Sequence, residues 1–512
     1  MLTAARRGRE LDDLACGLVV DVLVVGGGIT GAGVALDVAA RGLSVALVER
    51  GDLAAGTSRW SSKLVHGGLR YLATGQVGVA AESTRERGVL AATVAPHLIR
   101  PLPFLTPLGA AGMGRAMGVA AATAQHGADA LRRTARTPAA LFPAPRRVAE
   151  PEALALAPGI RRSGLRGGLL NWDGQLEDDA RLVIAVARTA AALGARIITR
   201  CEVTDLGAGG ATAIDRVTGA PLDLRARHVV NATGVWAGRL DPRVRLRPSR
   251  GAHVVLPASA LGHPRAAIAV PVPGHFGRVL FAVPQAQGLV LLGLTDEAVD
   301  EVVDRPEPTE ADLDFLLDAF SEGLQRPLRR SDVLGTFAGL RPLVASDPPG
   351  RHRDDGATPA TADLSRRHAV VQHGGVVTVT GGKLTTYRQM AQDVVDLLTE
   401  AGCPTKRLPL VGAVHADRRV GAALPARLVR RFGGEAPAVA ALAEGDPTLL
   451  EPLAPGVPAL GVEVLWAALA EGALGVDDVL DARLRLDLVP TWRDLARSRV
   501  EELMPEGAVL AR

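Results

Sequence analysis

Two short stretches of this chain crowd together side chains that an ordinary helix or strand would spread apart. SSKLVHGGLRYL, Ser61–Leu72, carries two serines, Lys63, His66, Gly67, Gly68, Arg70 and Tyr71 in twelve positions. TGGKLTTYR, Thr380–Arg388, sets Gly381, Gly382 and Lys383 among three threonines. The hydroxyls of Thr57, Ser58, Ser61 and Ser62 can donate to phosphate or ribitol oxygens, or they can cap short helices. Glycine has no Cβ, so Gly67 and Gly68 let the backbone pass close to a flat ring.

Such groups need a frame, and the sequence supplies one just upstream. In VDVLVVGGGITGAGVALDVAARGLSVALVER, Val22–Val25 read as a buried parallel strand, followed by a helix from about Thr30 to Arg41 and a second strand over Ser44–Val48. Gly26, Gly28 and Gly31 form G-x-G-x-x-G. The first permits the tight turn, the second lets backbone approach a pyrophosphate, and the third lets helix and strand pack closely. The helix N-terminus favours the pyrophosphate charge. Glu49, eighteen residues beyond Gly31, can take two ribose hydroxyls. A carboxylate there suits an unphosphorylated ribose, as in FAD or NAD, and this motif does not choose between them.

Later segments favour FAD. GARIITRCEVTDL reads as a strand ending near Cys201–Val203, where the backbone of Val203 could hold an adenine edge. ARHVVNATGVWAG closes a strand at Val230 and turns through Asn231–Gly234, small enough to lie against a dinucleotide. VVTVTGGKLTTYR gives a strand over Val376–Val379, a glycine turn and a helix starting near Leu384, so that Gly382, Leu384 and Thr385 bring an N-terminus to a reduced ring. Elements for one cofactor are thus spread over about 400 residues, the pattern of a flavin domain interleaved with a substrate domain.

Composition bounds the rest. Length and the 47% hydrophobic content admit two or three globular domains. A net charge of +3 is too small to argue nucleic-acid binding. Cys16, Cys201 and Cys403 show neither metal spacing nor a disulfide framework, so no metal and a reducing compartment are expected. Acidic residues interrupt the N-terminal segment, against a signal peptide, and no apolar run is long enough to span a bilayer.

The motifs VVGGGITGAGVALDVAARGLSVALVER, TSRWSSKLVHGGLRYL, EDDARLV, NATGVWA, SRGAHVVLP, GLTD, GLRPL and TGGKLTTYR together resemble the FAD-dependent, respiratory glycerol-3-phosphate dehydrogenases, within the D-amino-acid-oxidase-like flavoproteins. The resemblance runs from about Asp21 to Pro409 and continues more loosely to Leu486. It implies oxidation of sn-glycerol 3-phosphate to dihydroxyacetone phosphate, hydride transfer from C2 to FAD, and electron delivery to a membrane quinone by an enzyme on the cytoplasmic face of the membrane. It also implies a substrate site around Arg70, Tyr71, His253, Arg341, Arg366 and Lys383. A dianionic phosphate needs forked cationic donors, which makes Arg70, Arg341 and Arg366 its candidates; Arg366 is preferred to Arg367 on the resemblance alone. His253 is the first choice for the hydroxyl proton and His66 the second, with packing against the flavin as the other reading of His66. Lys383 can offset developing negative charge, and Tyr71 can bond phosphate or hydroxyl.

Some positions depart from the family pattern. Arg250 replaces a lysine, Leu294 in GLTD removes a hydroxyl while Asp296 stays, and DARLRL brings arginines into the tail. Asp179 and Arg181 read as helix-start and packing residues. The Arg430–Phe432 patch suits either anionic lipid or a solvated helix face.

The expected architecture is α/β. A discontinuous Rossmann-like FAD-binding domain covers 18–70, 161–250 and 331–408. An α+β mixed-sheet substrate-binding or cap domain covers 71–160, read as helix-rich, and 251–330. A small helical domain covers 409–512. The sequence is compatible with a homodimer without requiring one. Rival readings are an oxidase using dioxygen, an amino-acid oxidase of the same fold, and a flavin-binding protein without catalysis.

Overall fold

The computed structural model describes residues 1–68, 71–72, 75–109, 115–272, 278–344, 367–414 and 423–505. Two sheets organise them. The first runs, in order, through His368–His373, Val376–Gly381, Pro221–Asn231, Val19–Val25, Val45–Val48 and Arg196–Ile198. Its four central strands and Arg196–Ile198 are parallel, and the Cys201–Gly207 and Gly210–Asp215 hairpin extends it from Pro221–Asn231. Val19–Val25 and Val45–Val48 are nearly continuous apolar runs because both faces are covered, one by helices and the other by helix Ala4–Ala15 and that hairpin. One covering helix, Ile29–Ala40, is the one expected after the glycine turn, and it packs against Asp179–Ala192 and Tyr387–Val395.

The second sheet is mostly antiparallel: Glu297–Ala298, Ser249–Pro257, Leu289–Gly293, Val279–Pro284, Ala267–Pro271, Ile99–Gly109, Leu165–Leu176 and Leu64–Val65. Gly335–Arg341 adds beside Ser249–Pro257, and Arg146–Val148 beside Leu165–Leu176. Helix Glu310–Ser321 starts on a Thr309–Asp312 capping box and buries Leu313, Leu316, Leu317 and Phe320 on this sheet.

Strand pairing redraws the expected boundaries. Leu165–Leu176 and Gly335–Arg341, both placed by sequence in the flavin domain, hydrogen-bond into the second sheet, as does Leu64–Val65. The segment 71–160 is not simply helix-rich. It holds Ile99–Gly109, a strand whose Pro101, Pro103 and Pro107 disguise it, and which pairs along its length with Leu165–Leu176. Residues 110–114 lie outside the described residues.

The tail is helical where described: Ala426–Phe432, Gly461–Ala470 and Pro490–Leu503 enclose two apolar clusters. Arg430 and Arg431 do not form a lipid-facing pair, since Arg431 is buried beside Glu463, 3.2 Å away. Among the described residues no helix is long and apolar enough to cross a membrane.

Candidate active site

The turns that follow the central parallel strands meet at one edge, where open α/β sheets bind ligands. Gly26 follows the first strand with φ +111°, and a Cβ there would fall 2.6 Å from the Ala232 carbonyl oxygen. A Cβ on Gly31 would fall 1.9 Å from the Gly26 carbonyl oxygen. Helix Ile29–Ala40 begins at Gly28, and its first N–H donates to Ser58 Oγ at 2.9 Å. Glu49 ends the neighbouring strand, accepting from Gly27 N at 2.6 Å and Gly51 N at 2.7 Å. Burial pushes its carboxyl above the usual range, against the lowering effect of those two N–H bonds. Two close backbone crossings, a helix N-terminus and a carboxylate at the adjoining strand end form a cradle that fits a dinucleotide and that any side chain at Gly26 or Gly31 would close.

The remaining cofactor candidates extend this edge. Val203 follows Cys201, whose N–H donates to the Glu49 carbonyl at 2.8 Å, and so lies toward the carboxylate end. The Gly234 carbonyl accepts from Thr380 Oγ1 at 3.3 Å, which ties two of the turns together. Gly382, with φ +70°, is faced by Met390, while Leu384 and Thr385 open a short 3₁₀ turn that continues into helix Tyr387–Val395. Thr57 donates to the Leu340 carbonyl at 2.7 Å and thereby joins the cofactor loop to the second sheet. These bonds give Thr57 and Ser58 structural partners in addition to any ligand.

A compact polar group surrounds His253. Ser62 Oγ lies 2.8 Å from His253 Nε2, and the imidazole stacks on Phe337 at 4.6 Å with 9° between planes. Burial, then the charges of Lys63 and Arg341, lower the His253 pKa to about 3, so the ring is neutral. Arg341 lies across Gly251, where a Cβ would fall 2.0 Å from Nη2. Its guanidinium is fixed by the Thr295 carbonyl at 3.0 Å, Ser249 Oγ at 3.2 Å and Asp296 at 3.3 Å.

A second group lies beyond strand Leu64–Val65. Lys383 Nζ donates to Ser83 Oγ at 2.8 Å and sits 3.7 Å above the Tyr71 ring centre, while Tyr71 stacks with His66 at 6.4 Å. Gly67 N donates to Asp173 at 2.9 Å, and its carbonyl accepts from Thr84 Oγ1 at 2.9 Å. One helix, Val77–Val89, therefore secures both motifs: Ser83 meets Lys383, Thr84 meets Gly67, Glu86 pairs with Arg388, and Arg87 pairs with Asp173. Arg70 and Arg366 lie outside the described residues.

Asp179 opens helix Asp179–Ala192 as expected, and its surroundings add detail. Asp178 is the helix cap, accepting from Arg181 N at 2.8 Å. Asp179 instead turns into the Ser61–Lys63 loop, taking Ser61 N at 2.9 Å, Ser61 Oγ at 2.8 Å and Lys63 Nζ at 2.7 Å. Burial would raise the Asp179 pKa, but Lys63 and Arg485 hold it below the usual carboxylate range. Arg250 pairs with Asp312 at 2.8 Å and so anchors a helix. Sequence reasoning named Lys63 without giving it a role and passed over Ser83 and Phe337. The positive φ of Lys63, +56°, has no signal in its residue type, and Ser83 lies 300 residues from its partner Lys383.

Buried neutral histidines also set an acid limit. His97, packed against Gly412 and Gly433, has its pKa lowered to about 4 by burial and then by Arg181. The unfolded chain takes a proton below about 6.5 and the folded chain does not until about 4, so stability is full above the first value and declines as pH falls toward the second. Thermal unfolding of His97→Asn, followed from about pH 7 to about pH 5, should show of order 2 kcal/mol less acid loss than the parent. Equal losses would place the titration elsewhere.

Comparisons with known proteins align with this geometry. A family model described as FAD dependent oxidoreductase matches residues 21–388, and one described as the C-terminal domain of alpha-glycerophosphate oxidase matches 403–507. Glycerol-3-phosphate dehydrogenase 1 of Mycobacterium tuberculosis is 48% identical over 515 aligned positions, covering 98% of each chain. The mitochondrial glycerol-3-phosphate dehydrogenase of Arabidopsis thaliana is 33% identical, over 92% of this chain and 80% of its own. Among solved structures, the Bacillus halodurans glycerol-3-phosphate dehydrogenase complexed with FAD matches with a TM-score of 0.73 at 26% identity, covering 98% of this chain and 94% of that one.

Proposed function

The chain belongs to the glycerol-3-phosphate dehydrogenase family, within the FAD-dependent, D-amino-acid-oxidase-like flavoproteins, and from that premise we propose that it oxidises sn-glycerol 3-phosphate at C2 to dihydroxyacetone phosphate and delivers the electrons to a membrane quinone. The observation that carries this reading is the buried His253, bonded to Ser62, stacked on Phe337 and under the influence of the Lys63 and Arg341 charges.

FAD, when bound, supplies a two-electron acceptor; Gly26, Gly28, Gly31, Glu49, Gly234 and Gly382 are the residues that would hold it. Ser62 Oγ, 2.8 Å from His253 Nε2, passes its own proton to that nitrogen and takes the substrate hydroxyl proton in its place. The imidazole is a weak base first because it is buried and second because Lys63 and Arg341 face it. A dianionic phosphate brought beside Arg341 offsets that field and raises the pKa of the base when the substrate is in place. Arg341 binds the phosphate through a guanidinium already fixed in orientation. Arg70 and Arg366 are proposed as its companions. Lys383, steadied by Ser83 and the Tyr71 ring, holds negative charge that develops during the reaction. Phe337 and the ring of Tyr71 keep water from the reacting atoms.

The acceptor and location are proposed on the same footing: a quinone reached by peripheral association with the inner face of the cell membrane. Anaerobic addition of sn-glycerol 3-phosphate should bleach the bound flavin, and equimolar glycerol should not. Reoxidation should then be faster with a soluble quinone than with dioxygen. Bleaching by an amino acid instead would assign the site to amine oxidation, and faster reoxidation by dioxygen would assign it to an oxidase.

A further inference from the structure

The tail arginines of DARLRL reach into the cofactor and proton-handling loops from outside the sheet domains. Arg483 forks onto Asp52, with Nη1–Oδ2 2.5 Å and Nη2–Oδ1 2.9 Å, and also donates to the Glu471 carbonyl at 2.9 Å. Asp52 lies three residues past Glu49, the carboxylate of the dinucleotide cradle. Arg485 Nη2 donates at 2.8 Å to the Arg59 carbonyl, the same oxygen that accepts from Lys63 Nζ at 2.9 Å. Its Nε lies 3.3 Å from Asp178, and its guanidinium lies 5.1 Å from the centre of the Trp60 ring.

Backbone and packing point the same way. Arg485 holds φ +60° and Lys63 φ +56°, left-handed conformations costly for residues with a Cβ, at the two ends of this shared contact. Leu488 and Val489 pack in one cluster with Trp60 and Phe337, and Phe337 carries the stacked His253 ring. The tail therefore touches the His253 surroundings twice, through Arg485 to the Ser61–Lys63 loop and through Leu488 and Val489 to Phe337. Burial alone would depress both arginines, but Asp52 in one case and Asp487 with Asp178 in the other keep them fully charged.

We propose that Arg483 and Arg485 are positioning residues of the active site, Arg483 fixing the loop after Glu49 that grips FAD and Arg485 fixing the Ser61–Lys63 loop that aims Ser62 at His253. The Arg485 half rests on the role given to His253 above; the Arg483 half rests only on FAD binding.

Lysine replacements keep the buried charge and remove the fork, which limits damage to folding. Arg483→Lys should weaken FAD binding roughly tenfold, measured by fluorescence of released flavin, and should move affinity more than the anaerobic reduction rate. Arg485→Lys should do the reverse, lowering the reduction rate roughly tenfold with a smaller change in affinity. Ser62→Ala should slow the parent but add little in the Arg485→Lys background, because both changes release the same imidazole. The proposal is overturned if the two variants lose affinity and rate in parallel with their thermal midpoints, or lose neither. Should Arg483→Lys fold poorly, Asp52→Asn reads the same contact from its other side. If glycerol 3-phosphate does not reduce the parent, the functional reading fails, while the affinity arm still decides Arg483. Arg485 is then decided by the visible band of bound flavin, whose shift in Arg485→Lys supports the contact and whose constancy overturns it.

Discussion

His253→Asn should lower the rate of flavin reduction by sn-glycerol 3-phosphate by about a hundredfold or more while leaving the flavin content of the purified protein near that of the parent. A positioned general base contributes on the order of 10²–10⁴ in rate, and His253 is placed to act as one: only 3% exposed, neutral, and bonded through Nε2 to Ser62. The dinucleotide cradle is built from other turns, so cofactor retention should not follow the loss. Asparagine keeps a hydrogen-bonding group toward Ser62 without a basic ring nitrogen. Stopped-flow absorbance under anaerobic conditions, with the flavin-to-protein ratio measured on the same samples, separates the two effects. A variant that retains flavin and reduces at the parent rate would remove His253 from the chemistry, and Lys383 would become the first group to test.

The second large effect concerns Gly31. Its missing Cβ is where helix Ile29–Ala40 meets the turn after strand Val19–Val25, and an added carbon would lie 1.9 Å from the Gly26 carbonyl oxygen. Backbone, unlike the tip of a flexible side chain, cannot move aside cheaply. Gly31→Val should therefore yield protein with almost no bound FAD and a lower thermal midpoint, because the turn and the helix N-terminus must part to admit the side chain. Gly8→Ala is the matched control. Gly8 lies in helix Ala4–Ala15 with nothing within 4 Å of the new carbon, and alanine there should raise stability by roughly 0.5–1 kcal/mol with FAD retained. Normal flavin loading in Gly31→Val would mean that the cradle is not the cofactor site.

The nucleotide-binding half was legible because its signals are local. An apolar run, three spaced glycines, a helical stretch and a terminal acid follow one another within about thirty residues, and the strands and helix formed at Val19–Val25, Ile29–Ala40 and Val45–Val48. The tail could be read as helical for the same reason. Strand Ile99–Gly109 was hidden by its prolines, and Leu165–Leu176 by its glycines; each is held by the other across more than fifty residues, a pairing no local pattern announces. In the site, the residue types near the motifs were readable, but their partners were not. Asp179 was read at the helix start, where it stands, but only the fold shows that Asp178 caps while Asp179 turns toward Lys63. Ser83 under Lys383 and Arg485 over the Arg59 carbonyl join points 300 and 426 residues apart. Long-range polar contacts of this kind have no period to detect. They arise where sheets from separate parts of the chain converge.

The central claim is that the two motif groups, one around His253 and Arg341 and one around Lys383 and Tyr71, face the same bound substrate beside FAD. The most direct measurement is a crystal structure of the FAD-loaded chain with dihydroxyacetone phosphate. The account predicts the phosphate on Arg341, the ligand carbonyl within hydrogen-bonding reach of Ser62 Oγ where it meets His253, and Lys383 on the same cavity. A ligand bound elsewhere, with Arg341 and Ser62 turned toward protein alone, would contradict it.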